Sequence, residues 1–444
     1  MPFPNSLPQE LIDAIVDYLP ADTTNRPLDW QRDLTACALV SRSFSAPARR
    51  RLFNTIHLTT FKATSTPGMR NSRPQQELIQ RVRALSDLLA EETSDLIHLM
   101  HTLLVEIDHE GAMFDSSAGL DVVLWLVSTG ARNLETLHFE SADVLPCQWN
   151  SLVSDIRESL SAICHSKSIR NLQFANLTDL PTNILTDCSS LHLRNVTLSP
   201  PIASPSTLIP GATVIHLEEL QLSSRTPGNW DHFASIIPII SGVKTLKLWP
   251  MGYGFRIEDF SAFTKILRNM SDSLITLEIT FLRYSLDVLN LVPSSPLLLH
   301  PLHNISLRFT RDDGSRMLPD MKRAVELLNR LITPTDIRTI TLDFSVVTFE
   351  SRLDGFIRDK DEGLASLGLS ILEDKFPLLQ KLTFKLQVGF FYSRDLDPIH
   401  GQNYARETAR SIEEGILSLM VPSASKSQYD SARSKINVVV TVQV

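Results

Sequence analysis

Apolar residues recur along most of the chain in one arrangement: an apolar residue, two variable ones, an apolar one, one variable, an apolar one. It is legible at Phe53/Ile56/Leu58, Met100/Leu103/Val105, Leu134/Leu137/Phe139, Ile169/Leu172/Phe174, Leu217/Leu220/Leu222, Val243/Leu246/Leu248, Leu274/Leu277/Ile279, Leu302/Ile305/Leu307, Ile337/Ile340/Leu342 and Leu379/Leu382/Phe384, with a weaker copy at Leu193/Val196/Leu198. The alternation inside each triplet predicts a half-buried strand. Middle members follow one another at intervals of 24 to 47 residues, which points to a repeat architecture. Between the triplets the apolar spacing changes to three and four, predicting helices over 77–91, 120–128, 151–165, 231–241, 258–270, 319–332, 363–376 and 404–420. Strand, loop, helix and strand repeated in one direction predict an α/β fold, a solenoid with a parallel sheet inside and helices outside. The β-prone run 436–444 is expected to pair with the last strand, since as a bare edge it would aggregate.

The N-terminus reads differently. Ser6 and Gln9 have capping-box spacing, Pro8 falls in the first turn, and Leu11, Ile15 and Leu19 recur at i+4, predicting a helix over 6–19. A polar loop is expected over 21–32, then a second helix starting near Asp33 and running through Leu34, Cys37, Val40 and Phe44, and a short third helix from Pro47 to Phe53. Three short helices are too little chain to enclose a core of their own, so their apolar surplus implies a partner.

The residues Leu7-Pro8-x-Glu10-Leu11, Ile15, Leu19, the run from Asp33 and Leu34 through Cys37-Ala38-Leu39-Val40-Ser41 to Phe44, and Ala48-Arg49-Arg50-Arg51-Leu52-Phe53 together resemble the F-box, in the form found in fungal proteins that continue into irregular leucine-rich repeats. The triplets are similar to degenerate leucine-rich repeats. The asparagine or cysteine usual after the third apolar position gives way to Ala142 and Leu177 in two of them, so an irregular array is expected. The resemblance implies a helical module over 1–58 and a repeat domain with a strand cap over 59–444. It implies a non-catalytic substrate receptor of an SCF-type cullin–RING ubiquitin ligase: Leu7, Pro8, Leu11, Ile15, Leu34, Leu39, Val40 and Phe44 would face the adaptor subunit, and through it the cullin, or form the module's core, while the repeats hold a protein substrate. The other reading is a stand-alone interaction scaffold whose helical module only caps the repeats.

Composition narrows the classes. With 42 Lys+Arg against 50 Asp+Glu the net charge is −8, which argues against nucleic-acid or anionic-membrane binding. There are 66 leucines and only 16 glycines, and no apolar run reaches the length that spans a bilayer. Without a signal-peptide pattern at Met1-Pro2-Phe3-Pro4, and with Cys37, Cys147, Cys164 and Cys188 unpaired in spacing, the chain is expected to be intracellular, in cytoplasm or nucleus, with reduced thiols.

Chemistry-bearing motifs are few. No phosphate loop, dinucleotide fingerprint or Gly-x-Ser-x-Gly elbow is present, and no enzyme, cofactor or metal site is expected. His98 and His101, followed by Asp108, His109 and Glu110, read as a helix end leading into a strand over 103–107 rather than as metal ligands; Asp359 to Glu362 reads as a solvated turn. Cys164 and His165 fall at a helix C-terminus, the wrong pole for a thiolate. The variable residue between the second and third apolar members points away from the leucine core. That row, including His138, Gln173, Gln221, Lys247 and Glu278, is the expected substrate face, with Trp249, Tyr253 and Phe255 on a loop at a strand end as candidate aromatic contacts.

Overall fold

The computed structural model describes residues 8–18, 27–58, 73–91, 95–107, 119–142, 146–185, 188–199, 215–224, 229–236, 240–250, 257–282, 299, 301–311, 328, 336–348, 376–390, 398–420 and 434–443. The predicted helices 319–332 and 363–376 lie outside them, apart from Leu328 and Phe376. The chain divides into two compact units, residues 1–188 with 198–206, and residues 189–197 with 207–444.

The first unit opens with α1 (Gln9–Tyr18), α2 (Pro27–Val40) and α3 (Arg42–Asn54). α3 runs directly into β1 (Thr55–Leu58); α4 (Arg73–Ala90), a 3₁₀ turn (Asp95–Leu99), β2 (Thr102–Ile107), α5 (Leu120–Gly130) and β3 (Thr136–Ser141) follow. The short β4 (Cys147–Gln148), α6 (Ser154–Cys164) and β5 (Asn171–Pro181) complete it. Its strands are all parallel, in the order β1-β2-β3-β5 with β4 also on β5. α4 packs on α5, and α5 on α6, so the crossover helices form a layer of their own.

The second unit contains β6 (Ser190–Ser199), β7 (Ile215–His216), β8 (Glu219–Ser224), α7 (Asn229–Ile236), β9 (Ile240–Ser241), β10 (Thr245–Pro250), α8 (Ile257–Asn269), β11 (Thr276–Leu282), β12 (Asn304–Arg311), β13 (Thr339–Thr348), β14 (Lys381–Phe390), α9 (Pro398–Met420) and β15 (Ile436–Gln443). Its sheet is again parallel, β6-β8-β10-β11-β12-β13-β14-β15, while β7 and β9 form a separate pair. The C-terminal strand lies against β14, Leu382 opposite Ile436 and Phe384 opposite Val438, as its composition predicts.

Register follows the apolar triplets residue by residue. Ile56 pairs with Leu103, Leu103 with Leu137 and Leu137 with Leu172. In the second unit Leu220, Leu246, Leu277, Ile305, Ile340 and Leu382 form the corresponding row. A slip of one residue would turn every one of these side chains to water, which is why the pattern fixes the pairing. A backbone device repeats beside it: the carbonyl just ahead of a strand accepts two successive amides of the next. His101 serves Glu135 and Thr136, Glu135 serves Arg170 and Asn171, Lys244 serves Ile275 and Thr276, and His303 serves Arg338 and Thr339. Two positions beyond three of the triplets, Phe281, Phe309 and Phe344 stack in a column with Phe384, centroids 5.1, 5.0 and 5.2 Å apart.

Four local expectations are corrected. α2 begins at Pro27, not near Asp33, because proline suits a first helical turn where its missing N–H is not needed. The break between the second and third helices falls at Ser41, whose Oγ accepts the Phe44 amide at 3.4 Å, so Phe44 belongs to α3. The strand β6 uses Cys188/Leu191/Leu193, not Leu193/Val196/Leu198: Leu191 pairs with Leu220 and Leu193 with Leu222. Both triplets are apolar; Asn195, at φ 53°, ends the regular alternation before Val196 and settles the choice. Finally α7 stops at Ile236, and Ile240–Ser241 is a strand beside β7 rather than the end of a helix.

Candidate functional site

Two surfaces carry the residues singled out from the sequence. The first is the helical head. Val16 on α1, Leu34 on α2 and Ala48 on α3 make its enclosed core, with Cys37, Ala38, Phe44 and Leu52 packed against it. Two carbonyls there have no helical donor. Pro47 cannot donate to Ser43, whose oxygen instead accepts Gln9 Nε2 from α1 at 3.3 Å, and the Val16 oxygen, in the last turn of α1, accepts the Arg51 guanidinium of α3. The head is thus tied together by side chains that replace lost backbone bonds.

Of the residues expected to face an adaptor, Leu34 is turned inward, and Phe44 is half-buried against the same core. Pro8 is exposed, and Leu7 lies outside the described residues. The others face water: Leu11 is 51% exposed, Ile15 45%, Leu39 81% and Val40 73%. Scattered exposed leucines are ordinary, but four large aliphatic side chains on two short helices of one small module are an uncovered apolar surface. α3 packs on the turn Asp95–Leu99 and on β1.

The second surface is the outward row of the strands. In the first unit His57, Leu104, His138 and Gln173 stand opposite one another. His138 Nε2 lies 3.2 Å from Glu140 Oε2. His57 is half-buried, and burial first, then the positive charges of Arg81 and His138, hold its imidazole below the usual histidine value. In the second unit the row is His192, Gln221, Lys247, Glu278, Ser306, Thr341, Thr383 and Asn437. The register therefore sets Gln221, Lys247 and Glu278 side by side, as it does His138 and Gln173. Lys247 also reaches Glu219 Oε1 at 2.5 Å. Further along the same face Arg308 Nε donates to Asp343 Oδ2 at 3.0 Å, and that carboxylate is enclosed. Trp249 meets His192 edge-on at 6.2 Å between ring centroids. Tyr253 and Phe255 lie outside the described residues. Apart from Leu104 the row is polar and mixed in sign, and Thr383 within it is buried.

Asn176 and Asp179 on β5 and Asn195 on β6 adopt positive φ of 54°, 58° and 53°. The Asn176 side chain donates to the Ser141 carbonyl at the end of β3, 2.9 Å away. The asparagine that the sequence places as missing after Phe174 is present one position earlier than Leu177. Its sequence signal is the shared spacing Phe174-x-Asn176 and Leu193-x-Asn195.

A third feature has no counterpart in the sequence reading. Asp121, Val122, Trp125, Ser128 and Thr129 of α5, with Asp155, Glu158, Ser159 and Ala162 of α6, line a groove of about 470 Å³. Its signal was α5 itself, which buries Leu120, Val123, Leu124 and Val127 yet also exposes Val122 and Trp125 on the opposite side.

Cys164, at the end of α6, is fully buried, and burial together with nearby Cys188 pushes its thiol well above the usual range. His165 is held by the Ser161 and Asn183 carbonyls at 2.6 and 3.0 Å. Among the described residues no three His, Cys, Asp or Glu side chains gather as metal ligands, and no helix is long and apolar enough to cross a membrane. Asp108, His109, Glu110 and the acidic run 359–362 lie outside the described residues. No protein-family model matches the chain, and no curated protein matches it in sequence.

Proposed function

We propose that the chain is a non-catalytic substrate-recognition subunit of an SCF-type cullin–RING ubiquitin ligase, its helical head seated on the adaptor and its strand face holding a protein substrate. The observation that carries the reading is the head's division of labour: Leu34 and Phe44 serve its own core, while Leu11, Ile15, Leu39 and Val40 stay in water. Covering such a side chain fully is worth about 1.5–3 kcal/mol. Four of them suffice to anchor a standard interface, in which a few central side chains carry most of the energy. The register of the strands supports the leucine-rich-repeat part of the reading, because successive triplets align and leave one polar residue per strand in a continuous outward row.

The chemistry expected of such a subunit is positional. The adaptor-bound head fixes the chain to the ligase, and the strand row holds a target so that its lysines face the charged conjugating enzyme. The second reading, a stand-alone scaffold with the head as a cap, draws on the packing of α3 against Asp95–Leu99 and β1. Co-expression with the SCF adaptor separates the two. The full chain should retain the adaptor through purification, and the doubly substituted Leu39→Lys/Val40→Lys chain should lose it. No retention by the unsubstituted chain, or equal retention by both, refutes the assignment and leaves the cap reading.

A further inference from the structure

The geometry points to the groove between α5 and α6 as a docking site for a basic peptide segment of a partner protein, an Arg or Lys side chain lying across Trp125 with its cation among Asp121, Asp155 and Glu158. This inference concerns the helix layer and does not rest on adaptor binding by the head.

The groove combines two features that an ordinary solvated helix surface lacks. Trp125 is 57% exposed at its wall, and Val122 beside it is exposed too. An uncovered indole offers a flat face that attracts cations electrostatically, and tryptophan is enriched among interface anchors. The polar lining is of one sign: three carboxylates, and no Lys or Arg among the residues that form it. Among the described residues no cation pairs with any of the three; Asp155 accepts only the neighbouring Ser154 hydroxyl, at 3.2 Å. Arg157, the cation of α6, is directed to Asn150 Oδ1 at 3.4 Å. Asp121 and Asp155 lie in first helical turns, where each meets roughly half a positive charge from the helix dipole, so about two negative charges remain uncompensated.

Two polar groups in the lining also lack partners. Ser159 is only 6% exposed, and its hydroxyl has no hydrogen bond among the described residues. Asp121 Oδ1 is shut off from water and accepts no donor. An enclosed carboxylate oxygen is costly when left unpaired, and an unpartnered hydroxyl beside it adds a second polar group, so the lining favours a ligand that brings donors. A guanidinium or ammonium does so, and a planar guanidinium also stacks on the indole. An anionic partner is repelled, and a bare metal ion would leave Trp125 and Val122 uncovered. The volume of about 470 Å³ lies in the range of built ligand pockets and admits one long side chain with its flanking backbone.

The test titrates the full-length protein with a ten-residue Gly/Ser peptide carrying two arginines and two lysines, and with its glutamate counterpart, by calorimetry and tryptophan fluorescence. Saturable binding of the basic peptide alone is expected, weakened tenfold or more by Trp125→Ala and by Glu158→Lys. Glu407→Lys, the same charge change on an exposed site of α9, should leave it within twofold. Absence of saturable binding, full affinity in Trp125→Ala, or an equal loss in Glu407→Lys, which would mark diffuse attraction to a chain of net charge −8, overturns the inference.

Discussion

The helices α1–α3 gather a small core around Val16, Leu34 and Ala48, and leave Leu11, Ile15, Leu39 and Val40 outside. The strands β10–β14 enclose the second and third members of every triplet and add a column of four stacked phenylalanines. The two regions have similar apolar raw material. What differs is periodicity: a parallel strand finds an identical neighbour on each side, so each triplet is covered by the next, whereas three short helices offer each other one narrow stripe apiece. Repetition makes the strand region self-sufficient, and the head, lacking repetition, leaves large apolar side chains in water.

That contrast is sharpest where the body is broken. Phe344→Ala removes the ring that contacts both Phe309 and Phe384, and it should destabilise the second unit by about 3–5 kcal/mol, read as a lowered denaturant midpoint. A loss under about 1 kcal/mol would mean that the column contributes little. A smaller effect should appear at β1, where head meets strands. His57 is held below 6.5, chiefly by burial, so the folded chain resists the proton that the unfolded chain accepts. Its contribution to stability is complete above 6.5 and falls away as the pH drops toward the folded value. His57→Gln should flatten the dependence of melting temperature on pH in that window; an unchanged slope would exclude this residue as its source.

The smallest effect on stability is expected on the head's outer face. Leu39→Ser with Val40→Ser should shift the unfolding free energy by no more than about 0.5 kcal/mol, since these side chains contact little within the chain. A large loss there would show that the two residues serve the fold and would dissolve the contrast.

Much of this was legible in advance. Strand register was readable because period-two burial leaves no second solution, and the outward row of Gln221, Lys247 and Glu278 follows from it. Register failed at β6, where two overlapping triplets are equally apolar and only the left-handed turn at Asn195 selects one. The start of α2 was missed because Asp33 offers a plausible N-cap and the polar residues ahead of it read as a loop; the helix begins instead at Pro27, which suits a first turn. Within the head, the exposed aliphatic residues were readable as a surplus, but which of them turn inward was not: Leu34 and Leu39 are alike in sequence, and the packing of three helices sends one to the core and the other to water. The α5–α6 groove was hidden because its walls come from segments more than 20 residues apart, and only their packing brings Trp125 and Glu158 to one place.

The central claim is that the head's outer face belongs to the SCF adaptor. Calorimetric titration of the full-length chain with purified adaptor, repeated at several temperatures, measures it directly. One-to-one binding with a negative heat-capacity change, the mark of apolar surface leaving water, is expected, and Leu39→Ser/Val40→Ser should abolish it without lowering the melting temperature. No binding, or binding that this pair of substitutions leaves intact, would contradict it.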